Sequence, residues 1–363
     1  MTHTITLTPA QLDEFGRELD AIKEKVVAEL GQTDVDYIRR VIKAQRAMEV
    51  TGRALLMVPP AWLVGTALLS VSKILDNMEI GHNVMHGQYE WTGDPALSGQ
   101  TFEWDTACPG DQWRHSHNFT HHTFTNIVGM DRDIGYGILR MSADQRWHPY
   151  YLGNPVYAFL LMVLFQYGVA LHELETDRIR SGQISLADKR EVLEGIWRKT
   201  RRQVLKDYVA FPVLAGPFAP FVFTGNMTAN LVRNVWSYAI IFCGHFPEGV
   251  QEFSVEQTRN ETRGQWYYRQ ILGSANLTGG TLFHILSGNL SHQIEHHLFP
   301  DIPARRYAEI APQVREICQR YGLPYNSGPL PKQFAGVVRK IFRLALPSRG
   351  SAKPAAAPQP LAA

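Results

Sequence analysis

Histidine stands out by position: nine of the 14 histidines fall in three short windows, residues 82–86, 115–122 and 292–297. The first reads His82-Asn-Val-Met-His86, the second contains His117-Asn-Phe-Thr-His121-His122, and the third is His292-Gln-Ile-Glu-His296-His297. On a helix, residues four apart are rotated by only about 40°, so both imidazoles project from one face. A directly following histidine lies about 100° further round, which lets one helix serve two corners of a site. Imidazole suits Fe, Zn and Cu alike. A structural zinc is saturated by four ligands and a catalytic zinc takes three plus water, so eight or nine imidazoles are too many for one. A carboxylate-bridged di-iron bundle needs two Glu-x-x-His motifs and two further Glu, a set the sequence does not contain. Metal-uptake segments are usually low in complexity, whereas these windows have defined spacing and aromatic neighbours. Two metals with four or five ligands each fit the count.

Apolar runs separate the windows. Ala54–Leu75 is nearly uncharged, with Lys73 near its end and a break at Pro59-Pro60. Pro155–Leu171, Val209–Gly225 and Met227–Gly244 follow, the last interrupted by Asn230 and Arg233. About 20 apolar residues cross a bilayer core once as a helix. Upstream, Val35–Arg53 mixes Arg39, Arg40, Lys43, Arg46 and Arg53 with apolar residues at helical spacing, the pattern of a basic amphipathic helix at a membrane surface. Residues 173–208 hold nine Lys or Arg, which places them on the cytoplasmic side together with the basic flank before Ala54. The expected fold is an all-α integral membrane protein with two transmembrane helical hairpins, roughly 45–80 and 195–244. The run 155–171 is then partly embedded or re-entrant, because parity forbids a simple crossing. Residues 81–150 and 245–342 form a cytosolic helical cap. Three domains follow: an N-terminal amphipathic segment 1–44, a catalytic membrane unit 45–342, and a disordered Pro/Ala-rich tail 343–363.

Composition narrows the class. With 45% hydrophobic and 19% charged residues, the 363-residue chain is neither disordered nor a charged coiled coil. A net charge of +2 gives no field suited to nucleic acid, so no nucleic-acid partner is expected. Cys108, Cys243 and Cys318 are odd in number and widely spaced, which fits a reducing, cytosol-facing environment and no disulfide framework. The polar first residues lack the apolar core of a secretory signal. Mean hydropathy is only −0.19, because long polar segments dilute the apolar runs.

The strings GHNVMH (81–86), HNFTHHTFTN (117–126) and QIEHHLFP (293–300) resemble the three histidine boxes of the membrane fatty acid desaturases. The third is most similar to the box of the front-end and linoleoyl-CoA-like branch, here in a bacterial-type form without a fused cytochrome b5 domain. Box order and intervening runs follow that pattern from roughly Arg53 to Tyr321. The resemblance implies a di-iron centre that, with O2 as co-substrate and two electrons, removes two hydrogens from a fatty acyl chain carried as acyl-CoA or acyl lipid. It implies His82, His86, His117, His121, His122, His296 and His297 as ligands. His245, in Cys243-Gly-His-Phe-Pro-Glu248, looks like the family's ligand outside the boxes. Gln293 occupies the first position of the third box and His292 precedes it; either could complete the iron shell. No catalytic residues are expected beyond the ligands.

Carboxylates near the boxes, Glu79 and Glu295, are candidates to orient the rings from behind. Phe102, Trp104, Trp113, Phe119, Phe124 and Trp147 are candidates for an apolar acyl channel, without individual substrate residues being fixed. His115 is expected to face solvent or to stand behind the ligands, His284 fits a structural and a functional role equally, and no function is assigned to His3, His148 and His172. The sequence contains no G-x-G-x-x-G after a strand, no cysteine set for an iron–sulfur cluster and no His-Pro-Gly-Gly haem module. Electrons are therefore expected from a separate donor: a reductase, a ferredoxin or a cytochrome b5-like carrier. A hydroxylase or epoxygenase on the same scaffold shares every ligand and is the sister reading. A non-enzymatic metal transporter or sensor is the distant one.

Overall fold

The computed structural model describes residues 7–347. The chain begins with α1 (Pro9–Ala28), opened by a capping box in which Thr8 and Gln11 satisfy each other's backbone N–H groups. α2 (Gln32–Leu56) follows, its first turn closed by the Asp34 carboxylate accepting from the Gly31 amide. Pro59 and Pro60 cannot continue a helix, and the chain reverses there into α3 (Trp62–Ile74). α3 runs on through a π-helical stretch, Leu75–His82, to the short turn Asn83–Met85.

After the second histidine window come α4 (Asn154–Val163) and α5 (Phe165–Leu171). The apolar run 155–171 is thus no single rod; the segments Pro149–Val163 and Phe165–Leu174 meet at 99°. Next are α6 (Arg190–Val204), prolonged by a π stretch Leu205–Ala210 and the turn Phe211–Leu214, and α7 (Ala219–His245). The remainder is α8 (Arg263–Leu272), strand β1 (Asn276–Thr278), α9 (Gln293–Leu298), α10 (Tyr307–Arg320), strand β2 (Ser327–Pro329) and α11 (Leu330–Ala345). β1 and β2 pair in parallel with Asn276 opposite Ser327, a small departure from an all-helical chain.

Two helical hairpins, α2–α3 and α6–α7, stand side by side. α2 and α3 approach so closely that a Cβ on Gly52 would lie 2.9 Å from the Leu69 amide, and one on Gly65 2.8 Å from the Leu56 amide. The hairpins are joined by a buried ionic knot around Asp207. Its carboxylate meets Lys73 Nζ at 2.9 Å and Arg53 at 3.2 Å, and accepts from Asn230 at 3.1 Å. Opposite charges repay burial only when paired this completely.

The cap has its own core, in which Phe15 and Leu19 of α1 meet Tyr267 and Ile271 of α8, Phe299, and Tyr307, Ile310 and Val314 of α10. Buried Asp34 binds Arg305 and Arg306, tying the start of α2 to the same cap. The expected boundary at residue 44 therefore lies inside one continuous helix, and α1 is built into the cap. In the tail expected from residue 343, α11 continues to Ala345; residues 348–363 lie outside the described residues. Among the described residues no single helix is long and apolar enough to cross a membrane.

The glycine contact is testable. Gly65→Val forces α2 and α3 apart and is expected to cost about 1–3 kcal/mol, read as a lower Tm in detergent. Gly280→Ala, at a negative φ of −93° with open space around it, leaves Tm unchanged.

Candidate metal centre

The histidine windows sit where the hairpins enter the cap. The first lies at the end of the π stretch Leu75–His82, and the second lies on another, Arg114–His121. π turns are uncommon and concentrate at functional sites. Between His82 and His86 the helix is α-like, the His86 amide donating to the His82 carbonyl at 3.1 Å, and the two rings sit 4.6 Å apart. The third window is delivered by α9, and His245 is the last residue of α7.

These segments converge. Ring nitrogens of His82, His86, His117 and His296 all lie within 4.8 Å of one another, and those of His121, His245 and His297 form a second such group. His122 stands between the groups, with His296 and His297. Eight imidazoles from four chain segments thus surround two adjacent positions.

Their two ring nitrogens are used differently. In several rings the outer nitrogen, Nδ1, is tethered: His82 to Asn83 Oδ1 at 3.0 Å, His121 to Asp131 at 3.0 Å and His297 to Gln270 Oε1 at 3.1 Å, whereas Nδ1 of His122 and of His245 is buried without a partner. His296 Nδ1 faces the Tyr307 hydroxyl at 3.3 Å, which itself donates to the Phe299 carbonyl and so accepts from the ring. Asp133 places one carboxylate oxygen 3.7 Å from both His117 and His121, and the other 3.1 Å from His172. The inner nitrogens, Nε2 of His82, His86, His117, His121, His122 and His296, are buried without any hydrogen-bond partner. Buried polar atoms are rarely left so, and outward-tethered, inward-free imidazoles are the arrangement of a metal shell. The donor set fits a metal at each group.

Charge supports this. Burial and the neighbouring rings push His82 down to about 3 and hold His86, His122, His296 and His297 well below the ordinary histidine value, so the lone pairs are available. At His121 burial also disfavours the cation, but the carboxylates of Asp131 and Asp133 outweigh it and raise the ring to about 9.

The other expected site residues are placed elsewhere. Gln293 lies against His245, amide nitrogen to Nε2 at 3.1 Å, with its Oε1 unpartnered, and so borders the second group. His292 stacks on His284 at 4.6 Å, outside both groups. Glu79 turns away from the rings to Tyr37 and Asn289, and Glu295 binds Asn276 and Tyr325. The orienting carboxylates are instead Asp131 and Asp133, which sequence reasoning passed over, as it did His172. A D-x-D pair ten residues past His121 is the only signal, and such pairs are common on loops.

A cavity adjoins the site, lined by His82, His117, His245 and Gln293 on one side and by Met78, Trp104, Trp113, Tyr136, Phe165 and Leu290 among its apolar residues. Of the expected channel aromatics, Trp104 and Trp113 take part; Phe119 is exposed, and Phe102, Phe124 and Trp147 lie off the cavity.

Two outcomes follow. Asp131→Asn removes the charge behind His121 and is expected to lower metal affinity about 10- to 100-fold, measured by competition with a chelator. In the metal-free chain the depressed histidines stay neutral while the unfolded chain binds protons below about pH 6.5. Its Tm therefore falls as pH drops through that value; His121 works in the opposite sense but is outnumbered. A flat Tm between pH 7.5 and 5.5 would contradict this.

Known proteins resemble this chain over most of its length. The profile of the fatty acid desaturase family ("Fatty acid desaturase") matches residues 57–329. The chain is 48% identical over 350 residues to the NADPH-dependent stearoyl-CoA 9-desaturase of Mycobacterium tuberculosis, covering 94% of this chain and 82% of the relative. It is 26% identical over 282 residues to the sn-1 linoleoyl-lipid 6-desaturase of a Synechocystis strain, covering 74% and 76%. Bovine fatty acid desaturase 3 is 23% identical over 313 residues, covering 81% and 65%. The chain belongs to the fatty acid desaturase family, and its activity is that of an oxidoreductase acting on fatty acyl chains.

Proposed function

We propose that the protein is an O2-dependent di-iron desaturase of a fatty acyl-CoA, acting on saturated chains of the stearoyl type, with electrons from a separate NADPH-linked reductase or carrier. The observation that carries this reading is the pair of imidazole groups whose inward nitrogens open beside an apolar cavity. The name of the Mycobacterium tuberculosis relative supports the acyl-CoA and the NADPH-linked donor. His82, His86, His117 and His296 would hold one iron, and His121, His245 and His297 the other, with His122 between them and Gln293 at the edge of the second. Bound there, two irons with O2 supply the oxidising power needed to take hydrogen from an unactivated methylene.

The protein's own part is orientation. Asn83, Asp131, Gln270 and Tyr307 fix the rings from behind. The apolar lining excludes bulk water and holds the chain extended past the ligands. The overall change takes two hydrogens from adjacent carbons, with O2, two electrons and two protons giving two waters.

We place the hairpins in the membrane and the metal centre on its cytoplasmic side. Large apolar side chains exposed at both hairpin turns, Leu63 and Val64 on one and Val213 and Leu214 on the other, support this. So do Val156, Phe159 and Leu160 on the outer face of α4. Contiguous exposed apolar surface of this kind marks contact with lipid or partner, and the basic stretch 173–208 sets the orientation.

Expression in a host lacking the activity, followed by mass spectrometry of its fatty acids, tests the reading. A loss of two mass units is expected. A gain of sixteen would make the protein a hydroxylase or epoxygenase, and unchanged lipids with altered metal uptake would make it a transporter. His296→Ala is expected to abolish product and bound iron, and His148→Ala to affect neither.

A further inference from the structure

We infer that Tyr136 is a specificity-determining residue, its ring fixing where along the acyl chain the metal centre acts; this rests on the acyl reading proposed above. Five non-glycine residues among those described have a left-handed backbone: Asn126, Tyr136, Glu175, Asn260 and Asn289. Asparagine tolerates that conformation, whereas a bulky aromatic residue there is an outlier. Tyr136 has φ 55° and sits between Gly135 at 75° and Gly137 at 66°, a run of three left-handed residues. Such a conformation costs about 1–3 kcal/mol and persists where the surroundings enforce it, commonly at ligand-contacting sites.

What the run achieves is visible in the packing. It follows directly on Asp131 and Asp133, which hold His121 and reach His117, so the loop that orients the imidazoles also presents the tyrosine. The Tyr136 ring lies parallel to Phe242 of α7 at 5.9 Å and edge-on to Phe165 of α5 at 5.5 Å. It tilts over His172 at 5.3 Å, and His172 in turn touches Asp133. Tyr136 and His172 both line the cavity that reaches His82, His117 and His245. The flanking glycines are needed: a Cβ on Gly137 would lie 3.0 Å from Thr176 Oγ1, and one on Gly135 3.2 Å from Met141, besides their positive φ. The ring is thus a wall at a fixed distance from the centre, and an acyl chain seated against it has its carbons set in register with the ligands. Enlarging or shrinking that wall shifts the chain lengthwise.

The test compares wild type with Tyr136→Phe, Tyr136→Ala and Tyr136→Trp in the same host, supplied with saturated chains of graded length. Double-bond position, chain-length ratio and iron per purified chain are read. Tyr136→Phe keeps the ring and is expected to give the wild-type distribution. Tyr136→Ala is expected to move the ratio of neighbouring products by about tenfold toward longer chains or a displaced double bond, the scale set by one methylene in an apolar pocket. Tyr136→Trp moves it the other way, and iron stays at the wild-type level in both. If Tyr136→Ala does not accumulate, Tyr136→Leu is read for the same ratio alongside Tyr136→Trp. An unchanged distribution in the size-changing variants, whatever their total product, overturns the inference while leaving the desaturase reading intact. A wild type that forms no unsaturated chain overturns the reading itself and the inference with it.

Discussion

The structure turns on one constraint: eight imidazoles are packed together, and six of them bury an unpaired inner nitrogen facing a common space. Each unpartnered buried polar atom costs about 1–3 kcal/mol. Protonation would place cations side by side in a low-dielectric interior, so the rings other than His121, which Asp131 and Asp133 favour as a cation, are held neutral. A bound cation reverses both penalties, which is why this geometry favours a metal. The outer tethers decide which nitrogen faces in. Asn83, Asp131, Gln270 and Tyr307 are therefore as much part of the centre as the rings.

The rest of the fold supplies those rings from far apart in sequence. α3 and α7 bring His82 and His245, α9 brings His296 and His297, and the loop between the hairpins brings the second window. Such a centre survives only if its supports are rigid. The glycine contact between α2 and α3 and the ionic knot at Asp207 lock the two hairpins. The apolar core shared by α1, α8 and α10 holds α9 and with it the third box. Asp34, paired with Arg305 and Arg306, links that core back to the start of the first hairpin.

Much of this was legible in the chain. H-x-x-x-H and H-x-x-x-H-H carry helical spacing and metal chemistry together, and the first hairpin follows from an apolar run broken at Pro59-Pro60; the second break, expected at Gly225-Asn226, lies instead near Gly216, and α7 runs on unbroken through those two residues. Charge parity around 155–171 already argued against a straight crossing, and the run bends at Leu164. What the sequence hid depends on long-range contact. Glu79 and Glu295 were picked out by nearness in sequence, yet a side chain's direction is set by what it packs on, and theirs lead to Tyr37, Asn289, Asn276 and Tyr325. Asp131 and Asp133 look like ordinary loop acids until the left-handed turns around them fold back on the second box. His292, equal to its neighbours by residue type, is turned toward His284 because it precedes α9 instead of lying on its inner face. The π stretches leave no mark at all, since one extra residue per turn is invisible to periodicity over eight residues.

The central claim is that these imidazoles hold a pair of irons, and the metal content of the purified full-length chain tests it most directly. Elemental analysis of protein extracted in detergent should find close to two irons per chain, lost together when His121 is replaced by alanine. A single zinc per chain, or iron that persists undiminished without His121, would contradict the account.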